Sequence, residues 1–540
     1  MPIKRFCFLI FCLLITVIGN TQPFTTNDTL RGSDTPERAW WDIKKYTLTV
    51  EPTIESHELS GTNKILFQVV GTQTRMQLDL QLGMKIDAIL FEKDTLHFTH
   101  SNNVWWIEFP SKLNLNLNEN YEISVHFSGK PREAVSPPWE GGWIWKTDNT
   151  GNPWVAVACQ GLGASSWFPC KDYQGDEPDL GAQVTVIVPK GLSAISNGRL
   201  KDQLNTGKKT HYIWEVKNPI NSYNITVYIG KYKNWRENFS GENGPLQLNY
   251  WALTEEYEKA YNQFKQVPNV LKVFEKWFGP YPFYDDSYKL VQAPYLGMEH
   301  QSAVAYGNEF KNGYLGNDLS GSGAGLKWDF IIVHETGHEW FGNNITSKDI
   351  ADMWIHEAFT SYSEVLFIEE TQNKDAALSY LSGIRKRIQN DRPIIGEYNV
   401  HNQGSGDMYY KGSNLIHILR QFIGDDDKFR AMLRAMNQEF FHQIVTSEEI
   451  ENFIQLYTNT NLFLIFEQYL RTKDIPTLEY TVKGSTIYYK WTNCLPHFDM
   501  PVRLENGDWI YPSTQLKPLE KGYEDLSVSP DFYINIQRIK

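Results

Sequence analysis

Hydrophobic and polar residues alternate with period two through most of residues 40–235, switch to helical spacing, and alternate again from about Ile475. In the first stretch the runs are short, as at 46–50, 77–80, 121–127 and 182–188, with turn residues between them. Period two puts successive side chains on opposite faces of a sheet, so this density of runs predicts a large antiparallel β-domain. Residues 238–245, rich in Gly, Asn and Ser, read as a boundary loop. Beyond Leu246 the pattern is helical. Residues 257–278 form an amphipathic stretch that Pro268 splits or kinks, because proline has no N–H and clashes with the preceding turn. Further helices are expected at 375–388, 415–422, 429–440 and 450–457, the last opened by a capping box of Thr446 and Glu449. The runs 478–482 and 486–491 then predict a small terminal β-domain. No fixed-period repeat is present.

A chain of 540 residues holds two to four domains. The pattern divides it into a β-domain at 24–245, a mostly helical domain at 246–473 and a β-domain at 474–540, a multidomain α+β protein. Residues 1–19 read as a secretory signal peptide: Lys4 and Arg5 begin it, an apolar run of 13 residues follows to Ile18, and Val17 and Gly19 suit cleavage before Asn20. That run is short of the ~20 residues needed to span a bilayer, so an exported protein, periplasmic or secreted, with no stable membrane insertion is expected; an uncleaved anchor is the alternative. Cys12 lies inside the apolar run, which argues against a lipid-modified cysteine. Net charge is −13, or −15 without Lys4 and Arg5, which argues against nucleic acid or anionic membrane as a main partner. Cys7 and Cys12 leave with the leader. Of the remaining three, Cys159 and Cys170 fit either a disulfide in an oxidising compartment or two buried thiols.

The chemistry concentrates at His334-Glu335-Thr336-Gly337-His338, with Glu357 after a gap of 18 residues. Two imidazoles four apart on a helix share one face, one turn from each other, so both can grip one metal ion. Residues 324–333 supply an apolar helical approach, Asn343 and Asn344 a stop, and a second helix starts near Asp349 or Asp352 and runs through Val365, with Glu357 in its first turns. Two His and one Glu leave a coordination position for water, the arrangement of a catalytic rather than a structural zinc. One zinc per chain is expected. Glu335, beside the first ligand, suits a general base.

These residues resemble the aminopeptidase N and leukotriene-epoxide hydrolase family of gluzincin metallopeptidases, whose spacing from the second His to the third ligand is that of this chain. The segment 334–343 resembles its zinc helix, Tyr295-Leu296-Gly297-Met298-Glu299-His300 its G-x-M-E-N exopeptidase motif, and Tyr409-Tyr410-Lys411-Gly412 its Y-x-K-G segment. Cys159-Gln160 and Phe168-Pro169-Cys170-Lys171-Asp172 resemble a stretch that lends a glutamine to the site. The resemblance implies a thermolysin-like catalytic domain, a sandwich-like terminal β-domain, and hydrolysis of the N-terminal peptide bond of peptides with a free amine. It implies that Tyr409 stabilises the oxyanion, that Glu299 pairs with the substrate's amine, and that Gly297, Met298 and Gln160 contact substrate. Gln160 on a strand also suits a solvent-facing residue, and Glu364, seven residues beyond Glu357, is either a support for a metal ligand or a surface residue. The chain departs from the pattern at Leu296, His300, His356 and Glu339; the first two put the detailed backbone contacts to substrate in question, while Glu299 is kept. The family's long C-terminal helical domain is expected to be missing. An endopeptidase is disfavoured by the gap length and by Glu299. The remaining alternatives are an epoxide-hydrolase-type relative and a non-catalytic binding scaffold of the same fold; the survival of Glu335, Glu299 and Tyr409 argues against the scaffold.

Overall fold

The computed structural model describes residues 24–72, 75–110, 113, 115–519 and 525–540. The expected signal peptide lies outside the described residues. Among them, no helix is long and apolar enough to cross a membrane.

The first β-rich region is built on an eight-stranded sheet. Its centre is Trp41–Thr53, where burial alternates along the strand as the period-two pattern requires. This strand pairs antiparallel with Glu58–Val69, but parallel with Ala182–Pro189, so the sheet is not wholly antiparallel as expected. The parallel neighbour returns only after a long crossover, which strand alternation alone does not reveal. A second, four-stranded sheet holds Pro153–Ala158, and Gln160 lies just past its end. Six buried residues from farther along the chain, Val291, Ala293, Tyr295, Met298, Ala303 and Ala305, pack into this region's hydrophobic core. The two larger regions therefore share apolar packing at their seam.

Residues 238–245 are not a loop. They are the tip of a hairpin, Tyr232–Gly241 paired with Gly244–Leu253. The first of these strands lies at a sheet edge with most side chains at least partly exposed, so its polar composition is that of a solvated strand. The same five-stranded sheet continues through Tyr288–Gln292 and Val304–Tyr306 and ends in the edge strand Gly297–Met298.

Among the helices, the stretch around Pro268 divides into Tyr257–Gln263 and Val267–Phe278, joined by a 3-10 turn at Phe264–Gln266. Pro268 falls in the first turn of the second helix, where a missing N–H leaves no hydrogen bond unmade. The approach at 324–333 is not continuous helix. Ala324–Lys327 is a 3-10 turn, and the helix proper is Phe330–Gly337. Asp329 starts it, its carboxylate accepting from the backbone N–H groups of Ile331 and Ile332. The second motif helix is Trp354–Thr371, after a 3-10 turn at Ile350–Asp352. Lys374–Ile384, Tyr410–Ile423, Asp426–Glu439 and Ser447–Thr458 follow, the last with the Thr446–Glu449 capping box formed. Phe463–Arg471 is a further helix that the pattern did not single out. The terminal region holds a four-stranded and a two-stranded sheet. It is tied to the helix Tyr410–Ile423 through Asp531, which accepts from Arg503 at 2.6 Å and faces His417 at 3.1 Å.

Candidate active site

The candidate metal ligands are set by two packed helices. His334 and His338 lie on the last turn and C-cap of Phe330–Gly337, and Glu357 on the first turn of Trp354–Thr371. His334 Nε2 and His338 Nε2 are 3.3 Å apart, and Glu357 Oε2 is 3.7 Å from the first and 3.4 Å from the second. All three side chains are buried. His334 Nδ1 is 2.7 Å from Glu364 Oε1, and His338 Nδ1 is 2.9 Å from the carbonyl of Phe341. With each Nδ1–H donated to these acceptors, both Nε2 lone pairs turn inward. Glu357 Oε2 is buried without a hydrogen-bond partner of its own. Three donor atoms, two imidazole nitrogens and one carboxylate oxygen, thus converge on one point. Zinc bonded at about 2.0–2.1 Å in a tetrahedral site separates its ligands by about 3.3 Å, close to these spacings. The residues fit the metal.

Charge tells the same story. Burial works against protonating His334, but Glu357 and Glu364 outweigh it and hold its pKa well above the ordinary histidine value. Burial would raise the pKa of Glu357, yet His338 and His334 hold it well below the carboxylate range. The pocket favours a cation. Glu364 is fully buried, not a surface residue: it accepts from Tyr380 at 2.6 Å while holding His334, so it fixes that ring's tautomer and direction.

Glu335 is buried next to the triad, and burial raises its carboxyl to about 7, with the two histidines opposing and Glu299 and Glu357 adding to the rise. A cation held by the triad would lower it again. Gly297 makes room for it: a Cβ at that position would lie 2.6 Å from Glu335 Oε1 and 2.8 Å from Ile331 Cγ2. Tyr409 caps the start of Tyr410–Ile423, stacks on the His334 ring at 6.0 Å, and donates to Glu357 Oε1 at 3.0 Å. Tyr410 is adjacent but makes no such contact with the triad.

Glu299 follows the edge strand Gly297–Met298 and is buried. Its Oε1 accepts from Gln160 Nε2 at 2.6 Å and from Tyr223 OH at 3.2 Å. Gln160 is therefore turned into the site, not toward solvent. Donor atoms of Glu299, Glu335 and His338 all lie within 4.8 Å of one another. Burial raises the pKa of Glu299, with His338 opposing. Met298 is packed in the core, which leaves its backbone for any contact with substrate.

The departures have structural roles. His300 is buried against Tyr228 OH at 2.7 Å, and burial lowers its pKa to about 3, so it is neutral. His356 Nε2 accepts from the backbone N–H of Ser347 at 2.8 Å, pinning the turn that leads into the second motif helix. Glu339 accepts from Ser302 N–H and Tyr281 OH, at 2.8 and 3.1 Å. Cys159 and Cys170 are both buried free thiols, and Cys159 Sγ donates to the carbonyl of Tyr223. Tyr223 and Tyr380 were not visible in the sequence, where neither sits in a spacing that signals chemistry.

Two family profiles match the chain. The Peptidase M1 N-terminal domain covers residues 43–224 and the Peptidase family M1 domain covers 262–469. The chain is 26% identical over 380 residues to leukotriene A-4 hydrolase of Xenopus laevis, covering 66% of this chain and 58% of that protein. It is 26% identical over 328 residues to aminopeptidase B of Mus musculus, covering 56% of this chain and 46% of that one. A probable aminopeptidase 1 of Sulfurisphaera tokodaii is 20% identical over 466 residues, covering 83% of this chain and 55% of its own length. The chain spans about half the length of the curated relatives it matches. Among solved structures, an M1 zinc metallopeptidase from Deinococcus radiodurans bound to a Tyr-Ser-Ala substrate superposes with a TM-score of 0.66 at 18% identity, over 81% of this chain and 96% of that one. That likeness is one of fold.

Proposed function

Because the chain belongs to peptidase family M1, we propose that it is an exported zinc aminopeptidase that removes the first residue of peptides with a free N-terminal amine. His334, His338 and Glu357 would hold the zinc. When bound, zinc supplies a Lewis acid for the scissile carbonyl and makes an attacking water more acidic. Glu335, buried beside the triad without being one of its ligands, would take the proton of that water and later give it to the leaving amine. Tyr409 donates its phenolic O–H to the oxyanion that develops on the carbonyl oxygen. Glu299, steadied by Gln160 and Tyr223, pairs with the substrate's ammonium group.

The observation that carries this reading is the 4.8 Å limit that encloses donor atoms of Glu299, Glu335 and His338. A carboxylate that close to the base and to a metal ligand leaves room for one residue of a peptide, so only the first peptide bond reaches the triad. Export is supported by the charged start and apolar run of residues 1–19. Its test is the N-terminus of the secreted or periplasmic product, expected by mass spectrometry at Asn20.

Activity is tested with aminoacyl arylamides carrying free or acetylated amines. The zinc-loaded protein is expected to cleave the free forms and to leave the acetylated forms almost intact. Equal rates on both would remove the role of Glu299, and no cleavage of any substrate would remove the proposed activity.

A further inference from the structure

Two side chains connect Glu299 to a partly open cavity of about 60 Å³. Gln160 and Tyr223, the two side chains that donate to Glu299 Oε1, both line it. Met353 also lines it, and the carbonyl of Met353 accepts the backbone N–H of Glu357. The cavity thus sits between the amine anchor and the turn that launches the third metal ligand. A substrate with its ammonium on Glu299 and its carbonyl at the triad would have its first side chain near Gln160 and Tyr223, within reach of this space. An engineered cavity that accepts benzene measures about 150 Å³, more than twice this volume. The enclosed part of the space suits a small side chain and is too small for an aromatic ring.

What limits the cavity comes from far outside the helical machinery. Thr26–Gly32 is a short helix near the start of the described chain, and Arg31 reaches from it to donate to the carbonyls of Gly161, at 2.8 Å, and Leu162. Gln81 Nε2 donates to the same Leu162 carbonyl at 2.7 Å. The loop they grip follows Gln160 directly, and its turn depends on two glycines with left-handed backbone, Gly161 at φ 66° and Gly163 at φ 89°. On the far side Gly32 packs so tightly that a Cβ would lie 2.2 Å from the carbonyl carbon of Val400. His401, next along, lines the same cavity and faces the backbone of Gly161. The short helix, the glycine loop and His401 form one clasp, with the guanidinium of Arg31 in the middle.

We propose that Arg31 is a specificity-determining residue: it closes the outer end of the pocket for the substrate's first side chain, so that Gly, Ala and Ser are accepted there and Leu, Phe and Arg are refused. This rests on the aminopeptidase reading above. Arg31 touches neither the metal ligands nor Glu335, so its removal changes the size of the pocket more than the chemistry beside it. The expected signature is a change in the ratio of substrates, which a loss of folded protein would not produce because it lowers all rates together.

The test is kcat/KM on a panel of Gly, Ala, Ser, Leu, Phe and Arg p-nitroanilides, using the full zinc-loaded chain and its Arg31→Ser and His401→Ala variants, with thermal melts on each. Wild type is expected to favour Ala over Leu and Phe by at least about tenfold, within the range that pocket size alone supplies. Arg31→Ser is expected to raise the Leu-to-Ala ratio by about tenfold, and His401→Ala to move it the same way by less. If Arg31→Ser does not fold, His401→Ala decides. A wild type that prefers Leu, Phe or Arg overturns the inference and leaves the aminopeptidase reading standing. So does an unchanged ratio in every variant that melts like wild type. A wild type that cleaves nothing on the panel takes both down.

Discussion

The two ends of the candidate site are assembled over very different lengths of chain. At the metal end, His334, His338 and Glu357 come from two neighbouring helices with 18 residues between the second and third ligands. At the amine end, Glu299 is met by Gln160 from 139 positions away and by Tyr223 from 76 positions away, both in the β-rich region. The first geometry is set by helix pitch and one helix–helix contact, with Glu364 and the Phe341 carbonyl fixing the rings from behind. The second depends on how two large regions pack along a shared hydrophobic seam. Hydrolytic power should therefore follow local changes in the helices, while the ability to measure one residue from the amine should follow the seam.

The hardest test of that contrast is at the metal. His338→Ala, or exhaustive chelation of wild type, should abolish zinc binding in metal analysis and lower kcat/KM by at least about 1,000-fold. Substantial activity in a zinc-free sample would break the comparison at its stronger end. Next is the chemistry beside the metal. Glu335→Gln should keep its zinc and lose about 100- to 10,000-fold in kcat. Tyr409→Phe should lose about 100-fold in kcat with KM little changed, since its hydrogen bond to substrate is made to the developing oxyanion.

The amine end should respond in another currency. Glu299→Ala is expected to keep zinc, to lower kcat/KM on free-amine substrates by about 10- to 100-fold, and to erase the preference over acetylated ones. Tyr223→Phe removes one hydrogen bond to the Glu299 carboxylate, leaves Gln160 in place, and should raise KM by about fivefold with kcat nearly unchanged. If it instead cost as much as Glu335→Gln, the separation of the two ends would be wrong.

The smallest effect concerns the seam itself. Glu177 is buried, accepts from Asn221 at 3.3 Å, and has its carboxyl pushed up to about 7 by burial, with bonds from Thr346 and Asn221 opposing. A raised carboxyl pKa means that the folded chain keeps a proton the unfolded chain has released. Its contribution to stability is full below about 4.5, the unfolded value, and is lost as pH rises through 7. Glu177→Gln keeps a neutral partner at every pH. The variant should melt about 2–4 °C above wild type at pH 8, with the gap closing toward pH 4.5. A gap that is constant with pH would remove burial of a charge as its cause.

How much could be read from the sequence follows the same division. The ligand spacing brings three lone pairs together because helices have a fixed pitch, and Glu335 comes with it. Tyr223 and Tyr380 carried no signal, since each matters through a partner brought near by packing rather than by spacing. Residues 238–245 misled because a solvated edge strand and a loop have the same composition. Residues 324–333 misled in the opposite sense: Asp329 caps a helix that starts at Phe330, and the apolar residues before it belong to a 3-10 turn. The split at Pro268 was legible because a proline's missing N–H acts locally, at whatever position it occupies. The parallel pairing of Trp41–Thr53 with Ala182–Pro189 was not, because nothing in either strand records its neighbour's direction.

Gly297 has one further consequence. Its bare backbone faces the Glu335 carboxylate so closely that even a methyl group there would collide with the base. On the proposed reading the edge strand would be a gauge for proton transfer as well as a rail beside the peptide: widen it by a single carbon and the Glu335 carboxylate must swing aside. If Arg31 sets the size of the pocket as inferred above, selection for a different substrate can act on that side chain, but it has no such latitude at Gly297.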